Sequence, residues 1–260
     1  MMMNKHIYTY LSLLFLTFGL LFSSSSMGGE KCFLAKENDM ILRQEGDYQT
    51  RYSPCSTFKI ALSLMGFDAG ILENDEHPQW LFQEEYELYL NFRKGVHTPR
   101  TWMRDSCVWY SQILTRKLGV DKFKEYIEKF NYGNKDASGD KDKDNGLTQS
   151  WLNSSLQISP QEQVEFLQKF IERKLGVSGK AYEITKNIMF VQELWGGWKL
   201  YGKTGSGGFI GWFVGFIEKN GRKIVFASQI LDTQKQENTG VRARNNTYIQ
   251  LSSLINELEK

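Results

Sequence analysis

The chain has 260 residues, of which 41% are hydrophobic and 24% are charged, and its formal net charge at pH 7 is +2. This length accommodates one sizeable domain or two small ones sharing a core, and the composition is ordinary for a globular protein. Lys and Arg are interspersed with Asp and Glu, so the sequence lacks the basic footprint of a nucleic-acid-binding protein. We therefore expect no nucleic-acid partner.

The amino terminus has the pattern of a secretory signal peptide. Lys5 precedes an apolar run over residues 10–22, and four serines follow that run. The alternative, a membrane anchor, is disfavoured because a spanning helix needs about 20 apolar residues. We expect residues 1–26 to be removed near Ser26 and residues 27–260 to form one exported domain, without stable membrane association after cleavage.

The middle of the chain is predicted to be mostly helical. A β-hairpin over residues 32–45 comes first, with its turn at residues 37–39. A helix then begins at Ser56. Helical patterning continues in five further segments, which are 81–91, 107–118, 121–130, 160–175 and 178–190. A loop rich in Gly, Asn and Asp occupies residues 131–146.

The last quarter of the chain changes character and predicts strands. Three segments are rich in aromatic and β-branched residues, namely 198–205, 209–218 and 222–232. Residues 219–221, Lys-Asn-Gly, supply a hairpin turn, and a final helix is predicted from about Asn245 to Glu257. Strand-rich ends around a helical middle predict an α+β fold, in which both chain ends join one antiparallel sheet flanked by helices.

The cysteines and histidines limit the disulfide bonds and metal sites that the chain could form. The chain has three cysteines, Cys32, Cys55 and Cys107, so at least one thiol is unpaired and the pattern is not that of a disulfide scaffold. One disulfide bond between two of them is compatible with the sequence. His77 and His97 have no partner at a metal-ligand spacing. We expect no metal and no dissociable cofactor.

Ser56 and Lys59 are spaced for a nucleophile and its base. In a helix, positions i and i+3 lie on one face, so the two side chains meet if the helix begins at or just before Ser56. A serine hydroxyl needs a base, and a lysine serves only when it is neutral. The largely apolar stretch 60–65 provides burial that lowers a lysine pKa. The alternative is that Ser56 caps a helix and Lys59 extends to water.

A second motif, Lys203-Thr204-Gly205, lies in a predicted strand. The residues that follow it, 206–208, read Ser-Gly-Gly and permit close approach of the backbone to a ligand. By itself this motif is equally an edge-strand lysine beside a turn. Ser-x-x-Lys on a helix followed by Lys-Thr-Gly on a strand is, however, typical of the penicillin-recognising serine enzymes.

Two further motifs lie between these in chain order, Ser106-Cys107-Val108 and Tyr132-Gly133-Asn134. With Ser56-Thr57-Phe58-Lys59 and the Lys-Thr-Gly motif, the set closely resembles the class D, or oxacillinase-type, serine β-lactamases. The resemblance extends from about residue 30 to the carboxyl terminus. It implies the serine β-lactamase and penicillin-binding-protein fold, a periplasmic location and a small β-lactam as the partner, and it leaves the oligomeric state open.

The resemblance also implies a mechanism. Ser56 attacks the carbonyl carbon of the β-lactam ring and forms an acyl-enzyme, which water then hydrolyses. In the family, the lysine that corresponds to Lys59 is carboxylated by CO2 on its side-chain nitrogen and serves as the base in both half-reactions. Only an unprotonated amine adds CO2, so the apolar surroundings of Lys59 meet a chemical requirement.

Supporting roles follow from the same resemblance. Trp151 corresponds to a tryptophan whose indole N–H binds the carboxylated lysine, although its residue type suits a core position equally well. Val108 would form the apolar wall beside the lysine. Ser106 would relay a proton between Ser56, the substrate nitrogen and Lys203, and capping of a helix near Cys107 is compatible with that role.

Substrate binding is assigned on the same basis. Thr204 and Gly205 of the Lys-Thr-Gly motif would lie against the substrate, with Lys203 and Thr204 holding its carboxylate. The backbone N–H groups of Ser56 and Ser206 would form the oxyanion hole. Tyr132 would shape the site. Arg244 is the preferred carboxylate anchor because a guanidinium group suits that anion, with Arg242 as the alternative.

One departure and two competing functions bear on this interpretation. Only five residues, 206–210, separate Lys-Thr-Gly from the next strand motif, which predicts an open cleft and disfavours carbapenem hydrolysis. A β-lactam sensor domain that is acylated without turnover shares these motifs, but sensors are normally tethered by several membrane helices. A transpeptidase usually has Asn at the position of Val108.

Overall fold

The computed structural model describes residues 29–84 and 93–260. In these residues the strands are β1 (Glu30–Glu37), β2 (Met40–Glu45), β3 (Trp80–Leu81), β4 (Val96–His97), β5 (Phe190–Glu193), β6 (Lys199–Ser206), β7 (Ile210–Lys219) and β8 (Arg222–Leu231). The α-helices are α1 (Lys59–Asp68), α2 (Pro99–Asp105), α3 (Val108–Leu118), α4 (Val120–Phe130), α5 (Gly146–Gln149), α6 (Pro160–Ile171), α7 (Gly179–Ile188) and α8 (Thr239–Leu258). Short 3-10 helices occupy Cys55–Phe58 and Trp195–Gly197.

Six strands form one antiparallel sheet in the order β2-β1-β8-β7-β6-β5. Strands from both chain ends therefore share one sheet, because β1 pairs with β8, from Glu30 opposite Leu231 to Lys36 opposite Val225. The remaining pair, β3 and β4, forms a separate two-stranded ribbon. The predicted α+β architecture is confirmed.

The six-stranded sheet separates two hydrophobic cores. Side chains of β7 alternate between its faces, so Trp212 and Val214 join the larger core with the middle helices, whereas Phe213 packs with α8. In β6, Tyr201 belongs to the larger core. Lys203, two residues further along the same strand, therefore lies on the face that carries the middle helices.

Predicted and observed elements agree in kind and differ at their ends. The hairpins β1–β2 and β7–β8 are present as predicted. The last helix begins at Thr239 rather than near Asn245. The sequence did not predict its first turn because Gly240 is a poor helix former. Leu81 lies in β3, so the prediction of a helix from residue 81 is wrong at its start, and residues 85–92 of that segment lie outside the described residues.

Two features of the described chain bear on its environment. Cys32, Cys55 and Cys107 are all buried free thiols, so none of the three forms a bridge. Over residues 29–84 and 93–260, no helix has the length and apolarity that a membrane span requires. The predicted signal segment, residues 1–26, lies outside the described residues.

Candidate active site

Ser56 lies in the 3-10 helix Cys55–Phe58, which runs directly into α1. The side chain of Lys59, the first residue of α1, donates a hydrogen bond from Nζ to Oγ of Ser56 over 3.3 Å. The predicted meeting of these two side chains therefore occurs, although the turn that joins them is a 3-10 turn rather than an α-helical one. Cys55, just before Ser56, has a φ of 49°, a left-handed conformation that is uncommon for a residue other than glycine.

Lys59 is enclosed, with only 1% of the residue exposed. Its pKa is lowered from 10.5 to about 7, chiefly by burial, and the nearby charge of Arg93 acts in the same direction. The thiols of Cys107 and Cys55 oppose that effect. A substantial fraction of Lys59 is consequently an uncharged amine at neutral pH.

Trp151 provides an unpaired donor in the same region. Its ring is completely buried and packs on Phe58, the residue before Lys59, with ring centroids 5.5 Å apart. The indole Nε1 has no hydrogen-bond partner among the described residues. A buried N–H without an acceptor costs about 1–3 kcal/mol, so this orientation favours an acceptor that arrives with a ligand or a modification.

Ser106 occupies the corner between α2 and α3. It is the C-cap of α2 in a left-handed conformation, with a φ of 61°, and Cys107 is the N-cap of α3. The alternative in which Ser106 caps the helix near Cys107 therefore does not hold, because Ser106 closes the preceding helix instead. His97 lies beside this corner, with Nδ1 3.4 Å from the sulfur of Cys107 and 3.8 Å from Oδ2 of Asp105.

Val108 and Tyr132 are both buried. Val108 is the first residue of α3, directly after Cys107. The phenol of Tyr132 accepts a hydrogen bond from Nε2 of Gln163 over 3.4 Å, and its ring packs edge-on against Phe58. Tyr132 thus packs against the 3-10 turn that carries Ser56.

Lys203 is the second buried lysine, 4% exposed, and donates from Nζ to the carbonyl oxygen of Thr204 over 3.0 Å. Burial lowers its pKa well below the usual value, and the charges of Lys59, Arg93 and Arg244 add to that effect. These four basic side chains share one environment. An anionic substrate would favour their charged forms.

Strand β6 closely approaches the turn that carries Ser56 at Gly205. A Cβ atom at this position would lie 2.9 Å from the carbonyl oxygen of Pro54 and 3.1 Å from Cγ2 of Thr57, so only glycine allows this contact. Ser206 follows at the end of β6, and its hydroxyl accepts a hydrogen bond from the N–H of Gly240 over 2.9 Å. The two backbone segments expected to form the oxyanion hole therefore lie next to each other.

The two candidate carboxylate anchors on α8 differ in their surroundings. Arg242 pairs with Asp232, with Nη1 2.6 Å from Oδ2. Arg244 forms no ion pair with any residue in 29–84 or 93–260, and its Nε has no hydrogen-bond partner there. The arrangement favours Arg244 as the arginine that is available to a ligand.

Three residues near the site were not identified from sequence: Arg93, His97 and Asn153. His97 and Arg93 precede α2 in the chain, and no spacing relates them to the motifs. Asn153 follows Trp151 by two residues in a loop, where asparagine is common for reasons of backbone conformation alone. Among the described residues, no three His, Cys, Asp or Glu side chains form a group that could hold a metal ion.

Comparisons with known proteins agree with this geometry. The penicillin binding protein transpeptidase domain model matches residues 26–252. The chain is 45% identical over 229 residues to β-lactamase OXA-9 of Klebsiella pneumoniae, which covers 82% of this chain and 83% of that protein. It is 43% identical over 239 residues to β-lactamase OXA-1 of Escherichia coli, covering 87% and 86%. The crystal structure of the class D β-lactamase OXA-427 matches with a TM-score of 0.84 and 37% identity, over 88% of this chain and 99% of that one.

Proposed function

The chain belongs to the class D serine β-lactamases, and from this premise we propose that Ser56 is its nucleophile and that Lys59, carboxylated by CO2, carries its general base. The protein is a hydrolase that opens the β-lactam ring. The observation that carries the assignment is the 3.3 Å hydrogen bond between Nζ of Lys59 and Oγ of Ser56, made by a lysine that is almost completely buried.

The surroundings of Lys59 fit a carboxylated side chain. The amine must be neutral to add CO2, and burial brings its pKa to about 7. The resulting carbamate needs hydrogen-bond donors, and Trp151 offers a buried, unpaired Nε1–H on a ring that packs against Phe58, the residue before Lys59. When present, the group supplies a base for the protons of the serine hydroxyl and of water. Class D enzymes need no metal for this reaction.

The reaction has two steps on Ser56. In the first, Oγ of Ser56 loses its proton and bonds to the lactam carbonyl carbon, the ring C–N bond breaks, and the nitrogen gains a proton delivered through Ser106. In the second, water adds to the ester carbon, and Ser56 leaves with its proton restored. The N–H groups of Ser56 and Ser206 stabilise the oxyanion in both steps.

Substrate recognition rests on the cationic side of the site. Lys203, Thr204 and Arg244 would bind the carboxylate that β-lactam antibiotics carry. Strands β6 and β7 are joined by only three residues, 207–209, and we expect this short connection to leave the cleft open on that side. We therefore propose penicillins and oxacillin-like compounds as substrates and expect poor carbapenem hydrolysis.

The test is hydrolysis of a chromogenic cephalosporin by the purified mature protein, with and without added bicarbonate. We expect sustained turnover that rises with bicarbonate. Lys59→Ala should abolish turnover, whereas Lys124→Ala, which removes an exposed lysine of α4, should leave the rate unchanged.

Other outcomes have distinct meanings. A single stoichiometric burst followed by a stable acyl-enzyme would contradict the hydrolase assignment and identify a β-lactam sensor. Near-normal turnover by Lys59→Ala would overturn the assignment of the base while leaving the hydrolase assignment intact.

A further inference from the structure

Asn153 lies between the two backbone segments that carry the proposed oxyanion hole. Its side-chain Oδ1 is 3.5 Å from the sulfur of Cys55, the residue before Ser56. Its Nδ2 donates to the carbonyl oxygen of Gly207, the residue after Ser206, over 3.2 Å. One amide group thus contacts the chain neighbour of each proposed oxyanion donor.

The backbone of Asn153 is fixed independently of its side chain. Its N–H donates to Oγ of Ser53 over 2.9 Å, and that hydroxyl donates to the carbonyl oxygen of Trp151 over 2.8 Å. Asn153 adopts a φ of 56°, a left-handed conformation that asparagine tolerates better than most residues. The amide therefore projects from a backbone that is tied to the nucleophile loop.

The packing around Gly207 shows how close this arrangement is. A Cβ atom at Gly207 would lie 2.4 Å from Oδ1 of Asn153 and 2.9 Å from the sulfur of Cys55. Any side chain at this position would therefore displace the Asn153 amide, the strand end or both. The N–H of Gly207 donates to the carbonyl oxygen of Ile210 over 2.9 Å, which holds the glycine in the β6–β7 turn.

We propose that Asn153 is a positioning residue that sets the separation between the oxyanion-hole N–H groups of Ser56 and Ser206. It does not touch the substrate in this role. It joins the nucleophile turn to the end of β6 through its two polar atoms, and this tie acts in addition to the contact at Gly205. The inference rests on the proposed oxyanion hole and adds the residue that holds its two halves in register.

Two variants separate the parts of this role. Asn153→Asp keeps the size and the acceptor that faces Cys55, but places an oxygen against the carbonyl oxygen of Gly207. Asn153→Gly keeps the left-handed backbone and removes both polar side-chain atoms. The matched controls are Asn220→Asp and Asn220→Gly, since Asn220 is also exposed and left-handed, with a φ of 51°. It lies at the far end of β7, roughly 30 Å along the strand.

The readouts are the acylation rate, KM, and the affinity for a boronic acid that mimics the tetrahedral oxyanion. Outright loss of an oxyanion donor lowers kcat by about 10²–10³, so a displaced donor is expected to lower the acylation rate by about tenfold in both Asn153 variants. The affinity for the boronic acid should fall by a similar factor while KM changes by less than about threefold. The Asn220 variants should match the wild type.

The inference is overturned if the Asn153 variants retain wild-type acylation rates and boronic acid affinity. It is also overturned if acylation slows but boronic acid affinity is unchanged and the melting temperature falls, since that pattern indicates a structural role alone. Because acylation precedes deacylation, this test remains valid even if the wild type is acylated without turnover, the result that would contradict the hydrolytic function.

Discussion

Lys59 shows how an apolar environment lowers the pKa of a lysine. Its neighbours in α1 are buried hydrophobic side chains, and they cannot solvate an ammonium ion. A lysine whose pKa is lowered to about 7 is mostly neutral above that pH and mostly protonated below it. CO2 adds only to the neutral form, so we expect carboxylation and activity to decline together as the pH falls below about 7.

The role of Trp151 is testable through the bicarbonate requirement. Trp151→Phe preserves an aromatic ring in the core but removes the Nε1–H that has no partner among the described residues. A hydrogen bond to a charged group contributes about 1.5–3 kcal/mol, so the half-saturating bicarbonate concentration should rise by at least about tenfold. Trp195→Phe, at an exposed position, is the control and should show no change. An unaltered bicarbonate requirement in Trp151→Phe would remove this tryptophan from the proposed site.

Arg244 and Arg242 are expected to differ in what their loss affects. Arg244→Ala should raise KM for benzylpenicillin by about tenfold or more, because one charge-assisted bond to the substrate carboxylate is lost. Arg242→Ala should leave KM nearly unchanged and lower the melting temperature, since Asp232 would lose its partner. Steady-state kinetics and thermal unfolding of both variants decide the matter, and a larger KM effect in Arg242→Ala would reverse the assignment.

The packing of α8 against β6 is very close around Gly240. A Cβ atom on Gly240 would lie 2.6 Å from the carbonyl oxygen of Gly205 and 2.7 Å from Oγ of Ser206. The first turn of α8 therefore rests directly on the strand that carries the Lys-Thr-Gly motif. This contact also explains why the helix begins earlier than its sequence pattern predicts.

Gly240→Ala is expected to displace the end of β6. Overpacking of this kind costs about 1–3 kcal/mol of unfolding free energy, and the shift of Ser206 should lower kcat as well. Gly179→Ala in α7 is the control, because the nearest atom to its added Cβ, other than its own neighbours, lies 3.9 Å away. Thermal unfolding and turnover of the two variants test the prediction. If the two variants had equal stability and equal turnover, α8 would have accommodated the added methyl group without moving β6.

The position of Ser106 could not be predicted from the sequence alone. The Ser-x-x-Lys spacing is local, so the contact between Ser56 and Lys59 follows from the geometry of one turn. Ser106, in contrast, is a left-handed residue between α2 and α3, and His97 contacts the next residue, Cys107. No pattern in a single sequence specifies such a contact, because His97 and Cys107 meet only through tertiary packing.

The whole molecule is organised by a sheet with two buried faces. Strand-rich chain ends predicted this sheet, and the pairing of β1 with β8 confirms that both ends join it. The strand order, with β5 and β6 at one edge, was not predictable, because hydrophobic alternation specifies which face is buried but not which strands are neighbours. Each face of the sheet is covered by one of the two cores. Successive side chains of β7 and β8 are therefore buried on opposite faces, and the two strands read as continuous apolar runs.

Export is the prediction that concerns residues 1–26. If residues 1–26 are a signal peptide, protein recovered from the periplasm of an expressing bacterium should begin near Met27. Mass spectrometry of the intact protein measures this directly. Recovery of the full-length chain in the membrane fraction would instead indicate an uncleaved anchor.

The central claim is that Lys59 is a neutral amine that captures CO2 beside Ser56. The most direct measurement is 13C NMR of the protein equilibrated with 13C-labelled bicarbonate, for the wild type and for Lys59→Ala. We predict a carbamate resonance in the wild type that weakens as the pH is lowered through about 7 and is absent from Lys59→Ala. A wild-type spectrum without that resonance at alkaline pH, or an equal resonance in Lys59→Ala, would contradict the claim.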